Sequence, residues 1–271
     1  MKRILKLIAA LVSLCMLLAP SALASAPVEL NVFAAASLTE SLTEIAEMYK
    51  AVQPDVALSF NFDSSGTLQK QIESGATADL FLSAAKKQMD ALAEGGYVLD
   101  ETRKDLLTNK VVLIVPEGSE LGLTGFQDVA GEKVKLVALG NSDVPVGQYA
   151  QEIFTALGLW ETISLKASLG SNVKEVLAQV ESGAVDCGVV YATDAATATG
   201  IEVVAEAPAD SHKPVVYPGA VLKGSTNLDA AKTFLAFLET PEAVKAFEAV
   251  GFAMAGAAAP RSTTIPDGGG Y

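Results

Sequence analysis

The sequence predicts an α/β fold in which helices cover both faces of parallel sheets. Short apolar runs of the kind that form buried strands alternate with segments whose apolar residues recur at helical spacing. This alternation is typical of parallel sheets with helices on both faces. The 271 residues are enough for one large or two medium-sized domains. Aromatic residues make up only 6% of the chain, and the many small residues suit close packing of helices on sheets.

The strand signals are of two kinds. Between Val56 and Phe62, apolar residues alternate with other residues, which indicates a strand with one buried face. Four further runs are mostly apolar without alternation, which indicates strands buried on both faces. These runs are residues 79–83, 111–115, 134–139 and 187–191.

Helices are predicted between these strands. Apolar residues fall on one helical face in residues 38–49, 173–180 and 228–238. Glycines stand where the C-termini of predicted helices are expected, at Gly75, Gly95, Gly158 and Gly183.

Residues 1–24 predict a secretory signal peptide. Basic residues come first, residues 4–18 are mostly apolar, and small residues follow at 22–24. We expect cleavage after Ala24, with Ala26 as the alternative. The apolar run is too short for a membrane span. The chain is therefore expected to be exported, to the periplasm or to the outer face of the cytoplasmic membrane.

The two cysteines do not predict a lipid anchor or a disulfide. Cys15 lies within the apolar part of the signal peptide and follows Leu14, so we interpret it as an ordinary residue of that segment. Removal of the signal peptide leaves Cys187 as the only cysteine, so no intrachain disulfide is expected.

The chain is acidic, with 32 acidic and 19 basic residues and a net charge of −13. A phosphate backbone needs a basic surface, so nucleic acid is not an expected partner. An anionic ligand could not be captured by overall attraction either. Its site would have to use local, oriented dipoles.

Four predicted helix starts could supply such dipoles. Residues 37–40 read as a capping box, residues 64–67 place two serines and a glycine at a helix start, Pro145 suits a first helical turn, and residues 171–172 open a fourth helix. The N–H groups of a first turn have no partner within the helix, and the helix dipole adds positive potential there. Several starts meeting at one point would bind an anion without Lys or Arg. Taken singly, each of these helix starts is typical of an ordinary cap. Tyr191, at the end of a predicted strand, is by itself typical of a core aromatic residue.

Five sequence blocks together resemble the periplasmic molybdate-binding proteins of ABC transporters. The resemblance extends from Val28 to Phe252, nearly the whole of the expected mature chain. The blocks are Ala34–Leu38, Ser64–Leu68, Gly75–Ala84, Val144–Ala150 and Gly188–Ala195.

The resemblance implies a type II periplasmic-binding-protein fold, with two α/β lobes, a hinge and a ligand cleft between the lobes. One lobe would comprise residues 27–108 and 216–256, and the other residues 109–215. Residues 257–271 are rich in small and polar residues and are expected to form a disordered tail.

The resemblance also implies the ligand contacts. Ser37 and Ser65 would donate hydroxyl and backbone N–H groups from one lobe. From the other lobe, Val146 and Val173 would donate backbone N–H groups and Tyr191 its hydroxyl. The implied ligand is molybdate, with tungstate, delivered to the membrane permease of an ABC importer by a monomer without a cofactor.

Two residues differ from what a site made only of donors, as in the family, would be expected to contain. Val146 stands where alanine is common in the family, which a backbone donor tolerates if the side chain points away. Asp63, beside the serines, is expected to face away or to cap the turn, although an acceptor there would favour a protonated anion.

Two alternatives remain open. A carrier of sulfate, thiosulfate or phosphate would use the same fold. An exported serine hydrolase would need a histidine base, and His212 is the only histidine; it lies in a loop-like segment and the chain has no Gly-x-Ser-x-Gly elbow. The chain also lacks a Cys or His cluster for metal ligation. The sequence therefore favours a binding protein over an enzyme.

Overall fold

The computed structural model describes residues 27–256, so the predicted signal peptide and the predicted tail lie outside the described residues. The strands are β1 (Val28–Ala35), β2 (Val56–Asp63), β3 (Leu80–Leu82), β4 (Lys104–Asn109), β5 (Val111–Pro116), β6 (Val137–Gly140), β7 (Ala167–Gly170), β8 (Cys187–Tyr191), β9 (Ile201–Glu206), β10 (Val215–Val221) and β11 (Ala253–Met254). The α-helices are α1 (Thr39–Val52), α2 (Ser65–Glu73), α3 (Lys86–Glu94), α4 (Pro145–Ala156), α5 (Trp160–Ser164), α6 (Val173–Glu181), α7 (Ala192–Thr197), α8 (Leu228–Phe237) and α9 (Pro241–Ala249). Short 3-10 helices span Ala36–Leu38, Asp100–Thr102 and Phe126–Ala130.

The strands form two mixed sheets, each of which is the centre of one lobe. The first sheet has the order β11-β4-β10-β3-β1-β2, and the second has the order β7-β6-β8-β5-β9. The predicted α/β class and the two-lobed type II architecture are confirmed.

The expectation of parallel sheets is only partly correct. Strands β1, β2 and β3 pair in parallel, as do β6, β7 and β8. By contrast, β10 is antiparallel to β3 and β4, and β5 is antiparallel to β8 and β9. Two consecutive strands run parallel when a crossover helix returns the chain to the same end of the sheet. The antiparallel strands instead lead the chain from one sheet to the other, without a crossover helix between them.

Most predicted elements are present, with shifted ends. Strands β2, β5 and β8 and helices α1, α6 and α8 lie where the apolar patterns place them. Strand β6 begins at Val137 rather than at residue 134. Asp186 Oδ2 accepts the backbone N–H groups of Lys135 and Leu136 at 2.5 and 2.9 Å, so a carboxylate binds these groups instead of a neighbouring strand.

The predicted helix C-termini are also nearly correct. Gly75, Gly158 and Gly183 follow their helices with positive φ, the left-handed conformation that glycine adopts at little cost. After α3 the left-handed residue is Gly96, one position beyond Gly95.

Two adjacent connections join the lobes. Lys110 separates β4 from β5, and residues 207–214 separate β9 from β10. Strands β4 and β10 are neighbours in the first sheet, so both connections leave that sheet side by side. Paired connections of this kind let two lobes move as a hinged clamshell.

Buried aromatic residues pack the first lobe and extend toward the second. The Tyr49 ring meets Phe234 at a centroid distance of 4.9 Å, which fixes α8 on α1, while its hydroxyl has no hydrogen-bond partner within residues 27–256. The Tyr217 ring lies 5.1 Å from Phe252 and 5.7 Å from Tyr191 of the second lobe. The core is therefore continuous behind the cleft. No helix in the described part of the chain is long and apolar enough to cross a membrane.

Candidate ligand-binding site

A narrow cavity lies between the lobes, where the carboxyl ends of strands and the starts of the following helices face each other. Ligands of α/β proteins commonly bind beyond the carboxyl ends of the strands. The lining residues are Ala35, Ala36, Ser37, Asp63, Ser64, Ser65, Ala84, Val144, Pro145, Val173 and Tyr191.

Ser65 presents a hydroxyl whose direction is fixed by its surroundings. It is the first residue of α2 and is fully buried. Its Oγ accepts the backbone N–H of Ala84 at 2.9 Å. Because an N–H group can only donate, the hydroxyl proton of Ser65 is left to point elsewhere, and the cavity lies on its open side.

The turn before Ser65 is capped by its own side chains. Ser64 Oγ accepts the N–H of Thr67 at 3.1 Å, as an N-cap serine does. Asp63 Oδ1 accepts the N–H of Ser64 at 2.7 Å. Asp63 therefore bonds to the turn through this oxygen, as expected, but it also lies in the cavity wall and does not face away from it.

The predicted capping box at Ser37 is wrong. Ser37 lies within the 3-10 helix Ala36–Leu38, α1 begins only at Thr39, and neither helix has a side-chain cap. The chain is already helical at Ser37. The Ser37 side chain therefore points into the protein instead of accepting the N–H groups of the first turn of α1. There its Oγ lies 2.9 Å from the Oη of Tyr217.

The second lobe contributes helix starts and one phenol. Val173 is the first residue of α6, which Asn172 caps by accepting the N–H of Glu175 at 3.1 Å. Tyr191 ends β8 directly before α7, and burial raises its pKa well above the usual value, so the phenol stays protonated as a donor.

Val146 is the one predicted contact whose side chain does not line the cavity. It is fully buried, while its neighbours Val144 and Pro145 line the wall. Proline has no N–H, so Val146 carries the first N–H of α4. Within residues 27–256, the N–H groups of Ser65, Val146 and Val173 have no protein acceptor.

Sequence reasoning missed small residues that shape the wall and polar residues behind it. Ala35, Ala36 and Ala84 carry no functional group, so only their short side chains could have indicated a close approach to the backbone. Tyr217 sits in an otherwise apolar strand, and that pattern indicates a core residue.

Charged side chains flank the cavity without lining it, apart from Asp63. Lys174, beside Val173, places its Nζ 2.8 Å from Glu40 Oε1 in the first lobe and 3.0 Å from Asp194 Oδ1. The carboxylate of Asp194 is fully buried, and its contact with Lys174 is an ion pair without an aligned hydrogen bond. The described residues contain no group of His, Cys, Asp and Glu suited to a metal ion.

The lobes touch on both sides of the cavity, so the structure represents a closed clamshell. In the backbone, the N–H of Gly66 donates to the carbonyl of Asp143 at 3.0 Å. An ion pair joins Lys70 Nζ to Oδ2 of the same Asp143 at 2.5 Å. The pair between Lys174 and Glu40 closes the other side.

The environment of His212 does not support the hydrolase alternative. Its ring packs on Tyr149 at a centroid distance of 5.6 Å, and its Nδ1 lies 2.7 Å from the carbonyl oxygen of Lys213. It makes no hydrogen bond to a serine within the described residues, as a base for a nucleophile would.

Comparison with known proteins assigns the family. Residues 30–253 match the family described as bacterial extracellular solute-binding protein. The chain belongs to this family. Among curated relatives, the molybdate-binding protein ModA of Haemophilus influenzae is 41% identical over 84% of this chain and 91% of the relative. A putative ABC transporter substrate-binding lipoprotein of Bacillus subtilis, YvgL, is 40% identical over 83% of this chain and 86% of the relative.

Solved structures agree with this assignment. The substrate-binding domain of a putative molybdenum ABC transporter from Clostridium difficile is 43% identical, with a TM-score of 0.64 over 83% of this chain and 98% of that one. The periplasmic molybdate-binding protein of Azotobacter vinelandii is 25% identical, with a TM-score of 0.74 over 83% and 99%. A more distant curated relative, at 25% identity over 83% of this chain and 88% of the relative, is an aconitate isomerase from Pseudomonas.

The buried Asp194 predicts a specific pH dependence. Burial raises its pKa from 3.8 to about 6, and Lys174 only partly opposes this effect. The folded state therefore binds the Asp194 proton more tightly than the unfolded state does, and protonation stabilises the fold. This contribution to stability is fully present below about pH 3.8 and is lost as the pH rises through about 6. Between pH 3 and 7, the free energy of unfolding of the wild type should fall by about 3 kcal/mol relative to that of Asp194→Asn. Urea unfolding of both proteins across this range measures the difference. Parallel curves would show that Asp194 does not titrate there.

Proposed function

We propose that this protein binds molybdate, and also tungstate, outside the cytoplasmic membrane and delivers the oxyanion to the membrane permease of an ABC importer. One observation carries the proposal: the cavity between the lobes collects hydroxyl groups and unpaired helix N–H groups, with no basic side chain in its wall. Such a site suits an anion that only accepts hydrogen bonds.

The five residues implied by the family resemblance form the proposed contact set. Ser37 and Ser65 donate hydroxyl and backbone N–H groups from the first lobe. Val146 and Val173 donate N–H groups from helix starts of the second lobe, and Tyr191 donates its hydroxyl. Removing a doubly charged anion from water is tolerable only when every oxygen finds donors, and these groups supply them from both sides.

The relatives support the choice of ligand. Two molybdate-binding proteins, from Haemophilus influenzae and Escherichia coli, are 41% and 38% identical to this chain over more than four-fifths of its length. The M. tuberculosis sulfate-binding protein SubI shares only 16% identity, so it supports the fold alone. Fully ionised molybdate, tungstate and sulfate all suit an all-donor site, and the volume of the closed cavity selects among them. An anion that keeps a proton is disfavoured because the five proposed contacts all act as donors, so that proton meets no acceptor among them.

Closure of the lobes completes the site. We propose that residues 27–108 with 216–256, and residues 109–215, move as two bodies; these bounds fall one residue from the end of β4 and one from the start of β10. In the open state the serines would lie in one wall, and Val146, Val173 and Tyr191 in the other. The protein acts as a monomeric carrier rather than an enzyme. Asp63, the acidic residue of the cavity wall, accepts the backbone N–H of Ser64 and makes no hydrogen bond to a serine hydroxyl in the described residues, as a base for a nucleophile would.

Thermal unfolding of the purified mature protein with molybdate, tungstate, sulfate and phosphate in turn tests the function. A ligand at a thousand times its Kd adds about 4 kcal/mol of stability. We expect a large rise in Tm with molybdate and tungstate and a small one with the others. A rise with sulfate or phosphate instead would identify a different oxyanion carrier, and no rise with any anion would contradict the proposal.

Ser65→Ala tests the contact set. The variant removes one hydroxyl donor to a buried anion, so the affinity for molybdate should fall by about 1.5–3 kcal/mol, the range for hydrogen bonds to charged groups. Isothermal titration calorimetry measures the change. Unaltered affinity would remove the Ser65 hydroxyl from the site.

Gly66→Ala tests closure separately from folding. A Cβ at Gly66 would lie 2.3 Å from the carbonyl oxygen of Asp143 in the other lobe. Such overpacking costs the closed state about 1–3 kcal/mol. The open state has no such contact, and alanine suits a helix better than glycine by about 1 kcal/mol. We therefore expect weaker molybdate binding without a lower Tm of the unliganded protein.

Gly147→Ala is the matched comparison for that variant. A Cβ at Gly147 would lie 2.1 Å from the carbonyl oxygen of Gly140, which belongs to the same lobe. Gly147→Ala should therefore lower the Tm with and without ligand. A lowered Tm of unliganded Gly66→Ala, similar to that of Gly147→Ala, would show that the Gly66 contact stabilises the fold rather than the closed state.

A further inference from the structure

A chain of hydrogen bonds lies behind Ser37, outside the cavity. The Oη of Tyr217 is 2.9 Å from Ser37 Oγ, and the Nδ2 of Asn109 is 3.3 Å from the same Oη. Tyr217 is buried in β10 and Asn109 is the last residue of β4, so both stand where the connections leave the first sheet. Neither residue lines the cavity.

The orientation of the Asn109 amide is fixed by two neighbours. The backbone N–H of Lys110 donates to Asn109 Oδ1 at 2.8 Å. On its other side, Asn109 Nδ2 donates to Thr193 Oγ1 at 2.9 Å. A flipped amide would set its NH2 group against the N–H of Lys110, so the nitrogen must face Tyr217. An amide nitrogen only donates, and therefore the Tyr217 oxygen accepts from Asn109.

This arrangement gives the whole chain one direction. Tyr217 has a single proton, and Asn109 Nδ2 cannot accept it, so the proton goes to Ser37 Oγ. Burial raises the pKa of Tyr217 well above its usual value, which keeps that proton in place. With its oxygen accepting from Tyr217, the Ser37 hydroxyl has its own proton free for the cavity. Ser65 reaches the same state by accepting the N–H of Ala84.

We propose that Asn109 and Tyr217 are positioning residues that orient the Ser37 hydroxyl with its proton toward the bound oxyanion. The inference rests on the proposed function, since it explains how the Ser37 hydroxyl is oriented toward the ligand of that same site. It gives Ser37 and Ser65 the same property: each accepts one hydrogen bond from the protein and keeps its own proton free to donate to the ligand. These two hydroxyls therefore favour an anion that only accepts hydrogen bonds.

A double-mutant cycle with Tyr217→Phe and Ser37→Ala tests this role, with molybdate as the probe and calorimetry as the measurement. We expect Tyr217→Phe to weaken binding about tenfold in the wild-type background, equivalent to about 1.4 kcal/mol. In the Ser37→Ala background the same change should have no effect, because no hydroxyl remains to be oriented. A purely structural role would cost the same affinity in both backgrounds.

Tyr49→Phe is the matched control. Tyr49 is a buried tyrosine of the same lobe whose hydroxyl has no partner in the described part of the chain. Its loss removes the same atom without touching the site, so molybdate affinity should remain that of the wild type.

The outcomes separate this inference from the proposed function. Equal losses from Tyr217→Phe in both backgrounds, or no loss in either, would overturn the role of Tyr217. If the wild type binds sulfate or phosphate instead of molybdate, the cycle is run with that anion and decides the role of Tyr217 in the same way. A wild type that binds none of these anions would overturn both proposals.

Discussion

The direction of hydrogen-bond donors is the constraint on which the site depends. An anion buried without a basic side chain gains its stabilisation only from dipoles, and a hydroxyl is a useful dipole only when its proton faces the ligand. A free serine hydroxyl can donate or accept with equal ease. Here Ser65 accepts from a backbone N–H, and Ser37 has a phenol at hydrogen-bond distance. The surrounding protein thus restricts what the serines can do before a ligand arrives.

The same constraint accounts for the arrangement of the two lobes. Helix N-termini supply donors only along their axes, so no single sheet can surround an ion with them. Helix α2 approaches the cavity from one lobe, and α4 and α6 approach it from the other. The strongly acidic surface does not prevent anion binding, because the local dipoles act at short range whereas the net charge is screened by salt.

The sequence predicted the elements well, since their apolar patterns record which faces are buried. Strands such as β8 and helices such as α6 could be placed from spacing alone. The antiparallel strands were missed because strand direction depends on where the next segment goes, and an apolar run carries no such information. Ser37 was misread for a related reason: the capping-box pattern of Ser37 and Glu40 is local, while the partners of these residues, Tyr217 and Lys174, lie far away in the chain. Of the proposed site, the sequence indicated the helix starts and the resemblance selected the residues. The hydrogen bonds behind them could be found only in three dimensions.

The contact between Gly66 and Asp143 has a consequence for how such a protein can evolve. The two lobes meet there through main-chain atoms, an N–H from one and a carbonyl from the other. Any amino acid at position 143 supplies that carbonyl. A substitution there can therefore remove the ion pair to Lys70 and still preserve the backbone contact between the lobes. Position 66 has no such freedom, because every side chain except that of glycine brings a Cβ against the opposing backbone. The two sides of one contact are thus under unequal selection, and variation should accumulate on one side only.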